Sequence, residues 1–387
     1  MIDERYREDR ERRRLGSLTV YSGPTHSGKT KKLEADTERA QRQGRHMQYL
    51  SARADPNDLV SQLDPATELV AIDNGQQYDD RLIAVADSLA TVYRVDVVLA
   101  GWELDVTARP AGPMPELLCT ADFALKLDDG VCAQPGCRNL ASRTQRFHGV
   151  DGTPERFLPV CRRHHTPEPR AQSFQEVWFD EPSGSLDLIS GCMFSGKTQE
   201  LIRRLDQARY AGLAIQAFKP ALDDRYAIEA VASHRQLRFP AIAVPDVDAI
   251  RRQLHDDTRV VAIDEAQFFG SDLVGLVDEL ANRGRHVIVA GLELDFLARP
   301  FGPMPLLAAY ADRLTKLQAS CQYPGCGSRQ ATRTQRLVDG RPAPADAPLV
   351  VVGGAATYEA RCRHHHRIGA SLSDEPAPIA VEDSAEL

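Results

Sequence analysis

GCMFSGKT, Gly191 to Thr198, follows the apolar run SLDLISG and opens into TQELIRRLDQARYAG, a stretch of helical periodicity. A strand, a glycine turn and a helix in that order, with the pattern G-x4-G-K-[ST], make a phosphate loop. The glycines let backbone N–H groups turn inward around phosphate oxygens, the lysine reaches the β- and γ-phosphates, and the threonine hydroxyl meets Mg2+. Gly191, Ser195, Gly196, Lys197 and Thr198 are therefore the candidate nucleotide contacts. The same reading succeeds a second time. GPTHSGKT, Gly23 to Thr30, follows SLTVYSG and keeps the residues needed to hold a phosphate.

Outward from the two loops, further motifs recur in the same order. VAIDNGQQY returns as VAIDEAQFF, AGWELDVTARPAGPMP as AGLELDFLARPFGPMP, CAQPGC as CQYPGC, SRTQR as TRTQR and VCRRHH as RCRHHH. The chain reads as a tandem duplication. Lys29 and Lys197 lie 168 positions apart and Asp73 and Asp264 lie 191 apart, so the second copy gains 23 residues early on. Cys137 and Cys326 are 189 apart and Cys161 and Cys362 are 201 apart, so it gains 12 more later. Both extra segments are candidates for substrate contacts. TPEPR and DEPSG give a linker its Pro, Gly and charge. The expected organisation is a charged extension over 1–14, a first domain over 15–166, a linker over 167–184, a second domain over 185–368 and an acidic, disordered tail over 369–387.

The apolar runs in VVAIDEA and HVIVAG look like buried parallel strands. The expected fold class is α/β, with two tandem phosphate-loop domains each built on a parallel sheet flanked by helices. At 387 residues the length suits two domains. No apolar run approaches the roughly 20 residues of a bilayer span, and the charged start lacks a signal-peptide core, which points to a cytoplasmic protein with no membrane partner. A net charge of −8 argues against nucleic acid as a partner and for small-molecule chemistry.

Asp264 ends an apolar strand and is placed to hold Mg2+, while Glu265 beside it can take a proton from an attacking hydroxyl. On these residues alone, a glutamate that polarises water in an ATPase remains open. The first copy has Asp73 and Asn74 there, and asparagine is no base. Cys321, Cys326, Cys362 and His365 form C-x4-C followed at a distance by C-x2-H, and Cys132, Cys137, Cys161 and His164 repeat the set. Such Cys3His sets match closed, structural zinc sites, two per chain. His165, His364 and His366 read as solvent-exposed neighbours of these ligands, and Cys119 and Cys192 as buried apolar residues.

Together, GCMFSGKTQELIRR, FKPALDDRY, VAIDEAQFF, AGLELDFLARPFGPMP, TRTQR and GGAATYEARCRHH resemble the type II thymidine kinases, whose zinc-held lasso closes over the nucleoside. The resemblance implies ATP and Mg2+ as co-substrates, transfer of phosphate to the 5′-hydroxyl of thymidine, and a zinc-bearing lasso subdomain in each copy. It makes Glu265 the catalytic base. It also places Met193, Leu292, Phe296, Phe301 and Tyr358 around the thymine ring and lasso, and Asp223 and Arg225 in a D-x-R element near the active site. Family members form symmetric tetramers, so this chain is expected to be a homo-oligomer, a dimer giving a pseudo-tetramer of domains.

Two departures stand out. The cysteine pairs carry four intervening residues instead of two, and in the first copy Phe296 becomes Val106, Phe301 becomes Ala111, and nothing matches GGAATY. The first copy is thus expected to be degenerate. The competing reading is a P-loop ATPase whose zinc ribbons bind nucleic acid through the RTQR repeats, Arg143 to Arg146 and Arg333 to Arg336.

Overall fold

The computed structural model describes residues 16–50, 55–127, 130–148, 154–168, 184–221, 230–232, 238–349 and 357–370. Asp223, Arg225, the 1–14 extension, most of the 167–184 linker, the GGAA stretch before Thr357 and the tail from 371 onward lie outside the described residues.

The first unit is a parallel sheet ordered β2-β3-β4-β1-β5, from β1 (Leu18–Ser22), β2 (Met47–Leu50), β3 (Leu69–Ile72), β4 (Asp96–Ala100) and β5 (Phe123–Lys126). An antiparallel hairpin of β6 (Arg143–Phe147) and β7 (Arg156–Val160) follows. The second unit contains β8 (Ser185–Gly191), β9 (Ile215–Pro220), β10 (Ala230–Ala232), β11 (Arg238–Pro240), β12 (Ile242–Val244), β13 (Val260–Ile263), β14 (His286–Gly291) and β15 (Arg313–Leu317). Its parallel sheet runs β12-β9-β13-β14-β8-β15, the order of the first sheet with one strand added at the edge. The hairpin of this unit gains a strand, with β16 (Arg333–Val338) between β17 (Arg341–Pro342) and β18 (Thr357–Arg361). All four residues of β3 and all four of β13 are buried, because helices cover both faces of each sheet.

The early insertion goes into the edge strand β12 and the β10–β11 hairpin, where Phe239 joins Leu201, Ile202 and Leu205 of helix Lys197–Tyr210 in one apolar cluster. Its described part therefore serves packing. The late insertion supplies β17 and the turn before it.

The helices Lys29–Arg42 and Lys197–Tyr210 begin directly after Gly28 and Gly196, at φ 85° and 90°. A side chain at this left-handed position would strain the backbone, so glycine allows the loop to turn into the helix. The phosphate loops follow β1 and β8, and the acidic turns follow β3 and β13. Both sit at the carboxyl edge of a parallel sheet, the usual ligand side of such folds.

The units meet along β5 and β15 and along helices Met114–Thr120 and Met304–Tyr310. A single buried cluster passes through both, joining Leu117, Leu118 and Ala121 to Leu186, Leu307 and Ala311. Among the described residues, no helix is long and apolar enough to cross a membrane.

Candidate active site

The second phosphate loop lies folded on itself, with Lys197 Nζ donating to the Cys192 carbonyl at 2.8 Å. Lys29 does the same to Pro24 at 2.6 Å, and burial lowers its pKa to about 8. In the first unit Thr30 Oγ1 donates to Asp73 Oδ2 at 3.2 Å, the pairing of hydroxyl and carboxylate that a phosphate-loop Mg2+ requires. In the second unit the Thr198 hydroxyl lies by the Asp264 carboxyl and helps to lower its pKa. Burial and the neighbouring Glu265 carboxylate push Asp264 up to about 7. An ionisable group so costly to charge without a cation is suited to receive one. A cavity of about 430 Å3 opens over the first loop, lined by Gly28, Lys29, Thr30, Asp73, Asn74 and Trp102. A larger cavity of about 600 Å3 lies away from both loops, where Arg203, Arg204 and Arg313 are already paired with Glu200 and Asp187.

Glu265 has φ 53° and Asn74 has φ 56°, so both side chains leave the strand end through the same left-handed turn. Gln267 Nε2 donates to Glu265 Oε2 at 2.6 Å, and Gln267 Oε1 accepts from Leu292 N at 2.9 Å. This bridge fixes the carboxylate against the loop after β14. Gln76 spans Asn74 and Trp102 in the same way, at 3.3 and 3.0 Å. The backbone frame is common to both units; the carboxylate belongs to one.

Around that frame, Phe296 is buried, its carbonyl lies 2.9 Å from His366 Nε2, and its ring lies 5.2 Å from the Arg336 guanidinium. Phe301 meets Phe268 edge to face at 5.5 Å. Phe268, which the sequence motifs do not single out, thus stands beside Phe301, and its counterpart in the first unit is Gln77. Met193 is tied to the hairpin, its N–H donating to Thr334 Oγ1 at 3.1 Å. Leu292 and Tyr358 are both half-buried, Leu292 just after β14 and Tyr358 within β18.

Both Cys3His sets come together. The ligand atoms of Cys132, Cys137, Cys161 and His164, and those of Cys321, Cys326, Cys362 and His365, each lie within 4.8 Å of one another. Cys161 and Cys362 each place Sγ 3.2 Å from the Nδ1 of their histidine. A tetrahedral zinc with bonds of roughly 2.0–2.3 Å fits donors at these separations. His365 is braced by Tyr323, stacked on it at 4.3 Å. Cys119 and Cys192 are buried, as expected of small apolar residues.

The histidines beside these ligands, His165, His364 and His366, are half-buried and not solvent-exposed spares. His366 and His165 reach the carbonyls of Phe296 and Val106 at 2.9 and 3.0 Å, and His364 reaches the Gly16 carbonyl at 2.9 Å. The hydrogen bond each ring makes to a buried backbone carbonyl draws it inward. The RTQR repeats also differ from a nucleic-acid patch, since Arg143, Arg333 and Arg336 are buried. A guanidinium turned into the protein cannot read a phosphate backbone.

The sequence profile of the thymidine kinase family matches residues 46–165 and again 184–366. The chain belongs to the thymidine kinase family. It is accordingly an enzyme, and thymidine kinase activity implies ATP and Mg2+. It is 53% identical over 185 residues to a thymidine kinase of Coprothermobacter proteolyticus, an alignment covering 48% of this chain and 91% of that relative. One relative thus corresponds to about half of this chain. The first stretch matched to the thymidine kinase profile begins beyond the first phosphate loop, whereas the second includes its loop.

Proposed function

We propose that phosphate transfer to the 5′-hydroxyl of thymidine takes place in the second unit, 185–368, and that the first, 15–166, is a non-catalytic copy from a tandem duplication. The observation that carries this is the pair Glu265 and Asn74, equal in backbone and in glutamine bridge and unequal in the one group that accepts a proton. The first unit also has Val106, Ala111 and Gln77 where the second has Phe296, Phe301 and Phe268. Base and ring contacts are lost together.

In this reading Gly191, Ser195, Gly196 and Lys197 cradle the phosphates, and Thr198 with Asp264 holds Mg2+. When bound, Mg2+ and ATP supply the phosphoryl group and neutralise its charge. Glu265, steadied by Gln267, takes the 5′-hydroxyl proton. Met193, Leu292, Phe296, Phe301, Phe268 and Tyr358 enclose the base, apolar groups suiting the thymine ring and methyl. Asp223 and Arg225 belong to the same proposal on sequence grounds. Each Cys3His cluster holds a structural zinc, giving two per chain, and chains pair into a homo-oligomer in the cytoplasm.

Glu265→Gln keeps size and hydrogen bonding but removes the base. Turnover is expected to fall about 10²–10⁴-fold with ATP binding preserved. Turnover within a fewfold of the parent would remove Glu265 from the reaction.

A further inference from the structure

Each zinc hairpin ends in an arginine that leaves its own unit. Arg363, next to the ligand Cys362, is 5% exposed and lies inside the first unit. Its Nε donates to Asp122 Oδ2 at 2.8 Å, its Nη2 donates to the Thr120 carbonyl at 2.8 Å, and its Nη1 pairs with Asp87. From the other side of the same hairpin, Thr332 Oγ1 donates to Asp122 Oδ1 at 2.9 Å and Arg333 Nη2 donates to the Thr120 carbonyl at 2.9 Å. One buried carboxylate of the first unit therefore receives both ends of the second hairpin, Thr332 before β16 and Arg363 after β18. A third bond, from Leu18 N at 2.9 Å, anchors Asp122 to β1.

That hairpin base is also what touches the active site. Thr334 accepts the Met193 N–H, the Ala331 carbonyl accepts from Cys192 Sγ at 3.2 Å, and His366 contacts the Phe296 carbonyl. Burial alone would raise Asp122, but the charges of Arg363 and Arg333 outweigh it and hold the carboxyl at about 2. It is ionised throughout the working range.

We propose that Asp122 of the first unit is a positioning residue for the reaction of the second: it seats the base of the second lasso, and through Thr332, Arg333 and Arg363 it fixes the thymidine side of the active site. This rests on the reading that the second unit is the catalytic one. The first unit then does more than fill space, since a carboxylate outside the catalytic half sets nucleoside affinity. The hairpin also meets the phosphate loop, at Cys192 and Met193, but the turn into the helix at Gly196 and the helix Lys197–Tyr210 belong to the second unit alone, so the ATP side is expected to change less than the thymidine side.

A mirror network supplies the control. Arg162, next to Cys161, donates through Nε to Asp312 Oδ2 at 2.9 Å, and Leu186 N donates to the same oxygen at 2.8 Å. There the second unit seats the hairpin of the first. Steady-state kinetics on full-length Asp122→Asn and Asp312→Asn, with zinc content and thermal melting measured alongside, separates the possibilities. Asp122→Asn is expected to raise the KM for thymidine about 10-fold or more, the usual range for losing a group that orients a site from behind, and to leave the KM for ATP within about twofold. Asp312→Asn is expected to leave thymidine KM within about twofold. If Asp122→Asn does not fold, Thr332→Val, which removes a single hydroxyl contact, takes its place, with an expected rise of about threefold. A folded, zinc-replete Asp122→Asn enzyme with unchanged thymidine KM, or with both KM values raised equally, overturns the proposal. Sensitivity of thymidine KM to Asp312→Asn and not to Asp122→Asn would instead show that catalysis lies in the first unit. Loss of activity in Glu265→Gln with no effect from either aspartate would leave the catalytic assignment standing and the positioning role refuted.

Discussion

The two acidic turns, Asp73-Asn74 after β3 and Asp264-Glu265 after β13, share strand, backbone angle and glutamine bridge, and differ in one functional group. The comparison shows how a site divides into frame and chemistry. The frame is held by groups that never meet the reacting atoms, such as Gln76 and Gln267 bridging to the next loop. It survives when the base is replaced by an amide. Chemistry is carried by few side chains and can vanish without the fold registering it.

The two phosphate-loop lysines should give the largest contrast. Lys197→Ala removes the charge proposed to meet the transferring phosphate and is expected to lower thymidine phosphorylation about 10²–10³-fold. Lys29→Ala should leave more than about half of it, because the loop it serves has no base beside it. Equal damage from both changes in folded protein would end the division of labour between the units.

The zinc clasps should differ next. Structural zinc binding contributes directly to local folding, so Cys362→Ser should loosen the second lasso and raise thymidine KM about 10-fold. Cys161→Ser, in the clasp that reaches the second unit through Arg162, should raise it less. Elemental analysis of the parent should give two zinc ions per chain and each variant one. A count of one or none in the parent would break the paired reading of the Cys3His sets.

The smallest difference is expected in unfolding. The cluster shared by Leu117, Leu118, Leu307 and Ala311, and the buried arginine and aspartate pairs crossing between the units, bind the two sheets into one cooperative body. Breaking one such buried pair costs about 3–5 kcal/mol. Calorimetry should therefore show one transition, with the ratio of calorimetric to van't Hoff enthalpy near unity. Two separated transitions would mean that the units are stable apart.

Much of this was legible in the sequence, for a physical reason. Phosphate binding and zinc binding demand fixed residue types at fixed short spacings, so Gly191 to Thr198 and Cys321 with Cys326 announce themselves. Runs such as VVAI and LVAI announce a sheet covered on both faces. What stayed hidden depends on partners far apart in the chain. Arg363 and Asp122 are 241 positions apart and each looks like an ordinary surface charge until the fold joins them. The same holds for His364 and His366, read as exposed and found against backbone carbonyls, and for RTQR, read as a basic patch and found largely buried. Phe268 sits within VAIDEAQFF, but only its contact with Phe301, 33 positions away, sets it apart. Asp223 and Arg225 lie outside the described residues.

The central claim, that the frame persists in both units and the chemistry in one, is tested most directly by the double variant Asn74→Glu, Glu265→Gln. It moves the carboxylate from the second frame to the first and changes little else. Restoring one group should not restore a site that lacks Phe268, Phe296 and Phe301, so thymidine phosphorylation is expected to match that of Glu265→Gln alone, about 10²–10⁴-fold below the parent. Activity near that of the parent would contradict the account and show the first unit to be a kinase missing only its base.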